Sequence, residues 1–161
     1  MGARATLRPT PLGRVALRTL ALPAKRASGG RASAVQVGID LVEIAKFRRV
    51  FGGRQALLTS VFTEEELRYS RTKRPAHPHL AARFAAKEAT LKALGTGLGS
   101  RLSFRDIEVS KEFSGAPRLV LHGAALDMAR ARGVVASSLS LSHSVNYAVA
   151  IVLFLADGAA P

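Results

Sequence analysis

The stretch Arg83-Phe84-Ala85-Ala86-Lys87-Glu88-Ala89-Thr90-Leu91-Lys92-Ala93-Leu94-Gly95-Thr96-Gly97 decides how the rest of the chain is read. With the residues just before it, its Ala-rich pattern predicts a helix from His79 to Leu94, stopped by Gly95. On that helix Glu88 and Lys92 lie one turn apart and share a face with Phe84, while Arg83 and Lys87 form a neighbouring pair. An exposed ladder of ion pairs would account for these charges. Two details argue against it. Phe84, Ala81, Ala85 and Ala89 line the face around Glu88, so a carboxylate points toward small and apolar neighbours. The helix also runs straight into Gly95-Thr96-Gly97-Leu98-Gly99, where alternating glycines allow a ligand to approach the backbone closely and backbone N–H groups to cradle phosphate. The loop follows the helix rather than opening one, so it is not a P-loop.

Upstream of the helix, Val35 to Asp40 reads as a strand, with Gly38 placed where another backbone could come close. Asp40 ends it, either as a turn or capping residue or as a metal ligand. Leu41 to Phe51 has helical spacing, with Ile44, Phe47 and Phe51 on one side, and Gly52-Gly53 breaks it. Thr63 to Glu66 is a capping box for a further helix. Pro75 and Pro78 predict a loop. Downstream, Leu102 to Ser110 reads as a strand, Ser114 to Pro117 as a turn and Arg118 to His122 as a second strand. Gly123 to Arg132 reads as a helix ended by Gly133. Ser138 to Ser144 alternates like a strand and puts His143 on a face with Leu139 and Leu141. Tyr147 to Leu155 reads as a buried strand. Strands and helices follow no regular alternation, so the class is α+β, with mixed helices packed on an antiparallel sheet.

The chain has 161 residues, 48% of them hydrophobic, and no cysteine. It can bury a core, but it has no disulfide framework and no thiol chemistry. Its longest apolar run, Tyr147 to Ala156, is ten residues, about half of a membrane span, so no membrane partner is expected. Twenty-four basic residues against 11 acidic ones give +13. The charge is uneven. Arg4, Arg8, Arg14, Arg18, Lys25, Arg26 and Arg31 fall before the first acid, Asp40, and leave +6 for the remaining residues. A boundary near Ala34 separates a basic leader, 1–34, from a folded domain, 35–157. The leader reads either as an organellar transit peptide or as a disordered extension. Charge alone suggests a small basic nucleic-acid-binding domain, but no aromatic and basic stacking motif and no recognised nucleic-acid module supports one.

Asp40 and Glu88 together have the makings of a site for one hard cation. Mg²⁺ suits one or two carboxylates completed by substrate phosphates and waters. Arg83, Lys87, Lys92 and His143 would meet further phosphate charge, and Gly95 and Gly97 would border it. The chemistry described is metal-assisted displacement at a diphosphate.

The order of motifs resembles a known family. Gly38-Ile39-Asp40-Leu41-Val42-Glu43, Val61-Phe62-Thr63-Glu64-Glu65-Glu66, the helix with its glycine exit, and Ser142-His143-Ser144 are similar to the holo-[acyl-carrier-protein] synthases, the short bacterial-type 4′-phosphopantetheinyl transferases. The likeness covers about residues 36–155. It implies transfer of the 4′-phosphopantetheine arm of coenzyme A to a serine of an apo acyl carrier protein, with release of adenosine 3′,5′-bisphosphate. It also implies Mg²⁺ on Asp40 and Glu88, Lys92 at a coenzyme A phosphate and His143 near the ribose 3′-phosphate. Asp40, Glu88 and Lys92 are then the catalytic set, with Glu88, directly or through a water, the candidate base. The same likeness implies a homotrimer with sites between subunits, and an acidic carrier docking on Lys46, Arg48, Arg49 and Arg54. It places the protein in fatty acid biosynthesis, in the cytoplasm, or in a mitochondrial or plastid lumen if 1–34 is a transit peptide.

Overall fold

The computed structural model describes residues 34–97 and 102–157; the basic leader and the end of the glycine loop, Gly99 included, lie outside them. Two long strands with alternating burial form the centre. β1 (Ala34–Glu43) pairs antiparallel with β5 (Tyr147–Ala156), which pairs on its other side with β4 (Val134–His143). The sheet order is therefore β1-β5-β4. A separate hairpin is made by β2 (Ile107–Lys111) and β3 (Pro117–Leu121). Around these run α1 (Ile44–Phe51), α2 (Gln55–Val61), α3 (Glu64–Arg71), α4 (His77–Ala93) and α5 (Gly123–Ala131). The α+β class and the antiparallel sheet are as the sequence predicts.

The long helix α4 packs on the inner face of the three-stranded sheet. Its Ala85, Ala86 and Ala89 are buried against Ala150, Val152 and Phe154 of β5. Small side chains on both partners let the backbones come close, and Gly38 of β1 marks the tightest point. A Cβ there would stand 1.8 Å from the carbonyl oxygen of Ala89. No other residue fits that position. A second core forms under α1, where Phe47 and Phe51 stack with ring centroids 4.5 Å apart and Phe84 of α4 packs on Phe51 at 5.6 Å.

Several boundaries differ from the sequence reading. The helix expected from Leu41 begins at Ile44, because β1 stays paired with β5 as far as Glu43 opposite Tyr147. Pro78 is not in a loop but in the first turn of α4, where its missing N–H is no loss. The strand expected from Leu102 begins at Ile107, after a 3₁₀ turn capped by Ser103 and Asp106. The helix α2 lacked a pattern strong enough to predict it.

The outer face of the sheet carries no helix among the described residues. Val35, Val37, Ile39 and Leu41 of β1 are each more than half exposed, and Ile151 and Leu153 of β5 continue the patch. β5 is thus buried only on alternate residues, not throughout as its composition suggests.

Candidate active site

Asp40 sits on the inner face of β1, two residues beyond Gly38, so the contact between strand and helix sets its place beside α4. Lys92 reaches back from the last turn of α4. Its ammonium donates to Asp40 Oδ1 at 2.8 Å and to the carbonyl of Ile39 at 3.0 Å. Among the described residues the third of its hydrogens has no acceptor. One turn earlier on α4, Glu88 opens into a cavity of 530 Å³ that Asp40, Lys46, Phe47, Phe51 and Phe84 also line. Burial raises the Glu88 carboxyl above the ordinary range, the Asp40 charge adds to this, and Lys92 opposes both. Asp40 and Glu88 therefore share one apolar-walled pocket, which Glu43 also lines, and repulsion between such carboxylates is the kind a bound cation relieves. The donor set, carboxylates with no histidine or thiol among the described lining residues, fits a hard ion that keeps water and phosphate ligands.

A second, smaller cavity of 170 Å³ lies on another side of the same helix. Arg83 and Glu88 are five residues apart, which is about 140° around an α-helix. Arg83, Tyr69, His79, Lys111 and His143 line this cavity. Arg83 is almost wholly buried, with its guanidinium carbon 4.0 Å from the centre of the Tyr69 ring. Its Nη1 donates to the carbonyl of His79 at 3.2 Å, and its Nε has no partner among the described residues. Burial lowers its pKa, offset in part by Tyr69 and Glu66. His143, at the end of β4, meets His79 edge to face with ring centres 5.1 Å apart. Its neighbour across the ladder is Ala148, whereas Asp40 pairs with Ala150, so β5 lies between them.

Lys87 does not join either group. Its side chain turns inward and is wholly buried. The ammonium is held by Glu66 Oε2 at 2.8 Å, by the carbonyl of Phe104 at 3.0 Å and by that of Ile107. All three hydrogens are used, so the phosphate-binding role expected for Lys87 is corrected to a structural one. Burial pushes its pKa down and the Glu66 carboxylate pulls it back. Glu66 was legible as a capping residue, and it accepts from the Thr63 N–H at 3.0 Å. Its other oxygen also takes the Val109 N–H at 3.1 Å, which no local pattern announces.

Gly95 has φ of +60° and ends α4 in a Schellman motif: its N–H donates to Lys92 at 2.9 Å and the Thr96 N–H to Leu91 at 3.0 Å. Gly95 thus has a helix-stopping role, and neither it nor Gly97 borders either cavity.

The family model for the 4′-phosphopantetheinyl transferase superfamily matches residues 36–152. The chain belongs to that superfamily. Among curated relatives, the holo-[acyl-carrier-protein] synthase of Moorella thermoacetica is 45% identical over 119 residues, 74% of this chain and 92% of its own length. That of Syntrophotalea carbinolica is 47% identical over 119 residues, 73% of this chain and 93% of its own. A solved ACPS–CoA complex from Chronobacterium ammoniagenes matches with a TM-score of 0.68 at 33% identity, covering 76% of this chain and 98% of that one. This phosphopantetheinyl transferase is therefore an enzyme of the holo-[acyl-carrier-protein] synthase type, as its motif order implied. Every residue lining either cavity falls inside the matched span.

Proposed function

We propose that residues 35–157 form a Mg²⁺-dependent enzyme that moves 4′-phosphopantetheine from coenzyme A to a serine of an apo acyl carrier protein. The observation that carries this reading is the pairing of Asp40 with Glu88 in one pocket, with Lys92 clamped to Asp40. Asp40 and Glu88 would hold the cation, which when bound would neutralise charge on the diphosphate. Lys92 keeps Asp40 in place and has one hydrogen left for a phosphate oxygen. Glu88, whose carboxyl burial holds above its ordinary range, would be the base that takes the proton of the carrier serine. The serine oxygen bonds to the phosphorus bearing the pantetheine arm. The bridging P–O bond breaks, and adenosine 3′,5′-bisphosphate leaves with the electron pair. Arg83 and His143, in the second cavity, would bind the ribose 3′-phosphate.

The two cavities open on different sides of α4, which favours a coenzyme A held between copies of the chain. The bare apolar outer face of the sheet supports assembly, in our reading a trimer. On α1, Lys46, Arg48 and Arg49 are exposed, with Arg54 just beyond, and Lys46 borders the main cavity. That basic face would receive an acidic carrier. The decisive experiment incubates the protein with coenzyme A, Mg²⁺ and apo acyl carrier protein and weighs the carrier. The phosphopantetheine increment is expected, and chelation of the metal should abolish it. An unchanged mass with every carrier tried would end this reading.

A further inference from the structure

His79 has no place in the reaction derived above, yet it lines the second cavity. It enters from the first turn of α4 and meets the Tyr69 ring on one side, with centroids 6.3 Å apart, and the His143 ring on the other. The charged groups around it are Arg83 from its own helix, Lys73 after α3, Lys111 from β2 and His143 from β4. No carboxylate lines the cavity among the described residues. A pocket that gathers this many cationic groups and no anion, and holds a buried arginine whose Nε has no partner among the described residues, is built to take an anion.

We propose that His79 is a proton-coupled ligand of the phosphate bound in this cavity, taking up a proton as the phosphate enters. The inference rests on the reading of the cavity as a coenzyme A phosphate site, and adds which residue takes up a proton there. The electrostatics lead to it. In the free protein His79 is held below its ordinary pKa, first by burial and then by His143, Arg83 and Lys73. It is therefore mostly uncharged at neutral pH. A phosphate carrying close to two negative charges reverses the local field and favours the imidazolium. Binding then carries a proton with it, so affinity must rise as pH falls, by at most about tenfold per pH unit for one proton.

The test is calorimetric titration of the full-length protein with adenosine 3′,5′-bisphosphate near pH 7, in two phosphate-free buffers of different ionisation enthalpy. The difference in heat between buffers counts the protons taken up. Wild type should take up a substantial fraction of a proton, and His79→Phe and His79→Gln should take up far less. His143→Gln should keep most of the uptake. Adenosine 5′-monophosphate, which lacks the 3′-phosphate, should show little uptake with any of them. Equal uptake in wild type and both His79 variants would overturn the proposal, as would uptake that disappears only in His143→Gln. Arg83→Gln separates the two levels of the argument. If it leaves bisphosphate affinity unchanged, the phosphate-site reading fails and the proposal with it. If it weakens binding while the His79 variants keep full uptake, only the proton assignment falls. Far-UV circular dichroism on each variant confirms the fold being compared.

Discussion

Glu88, the proposed base, carries a charge that opposes the fold that holds it. Its folded pKa lies above the unfolded value, so the folded state holds that proton more tightly than the unfolded chain does. The resulting stability is fully present below the unfolded carboxyl range, about pH 4.3, and is lost as pH rises through the folded pKa. Glu88→Gln should therefore be more stable than wild type at neutral pH, with the advantage shrinking toward pH 4. Chemical denaturation across that range measures it. Transfer should fall by at least about a hundredfold, and added Mg²⁺ should raise the melting temperature of wild type but not of the variant. Asp40, Glu88, Lys92 and His143 could be singled out as candidates because they sit in spaced motifs. Lys87 was misread because direction around a helix does not reveal which long side chain finds buried partners. Tyr69, His79 and Lys111, which line the second cavity, were not singled out because they come from three separate elements and share no spacing.

The joint between β1 and α4 depends on the absence of side chains. Gly38→Ala would drive a methyl group into the Ala89 carbonyl, so strand and helix must separate. We expect a loss of about 1–3 kcal/mol or more, read from urea unfolding, with the Asp40–Lys92 contact disturbed as well. The Glu66–Lys87 pair joins α3, β2 and α4 from inside. Glu66→Gln or Lys87→Met alone should cost about 3–5 kcal/mol, because each leaves an uncompensated buried group. The double variant should recover much of that loss, which a double-mutant cycle would show. Element types were readable from period and punctuation, as with the capping box before α3 and the Gly133 stop after α5. Their limits were not. Whether Leu41 to Glu43 continues a strand or starts a helix is decided by β5, which lies more than a hundred residues away in sequence.

For the whole molecule, the outer sheet face dominates. Hydropathy made β5 look buried on both sides, and only pairing and layering show one side left bare. In a trimer that side would be covered. Ile39→Asp should then leave the secondary structure intact, shift sedimentation from trimer toward monomer and remove most of the transfer activity; a trimer that survives the change would place the interface elsewhere. The bare face carries a further consequence for how the enzyme behaves on dilution. If one copy lacks half of the coenzyme A site, the rate per molecule is not a constant of the protein. It should fall as the protein is diluted below the dissociation constant of its assembly and recover on concentration, with coenzyme A itself holding the copies together.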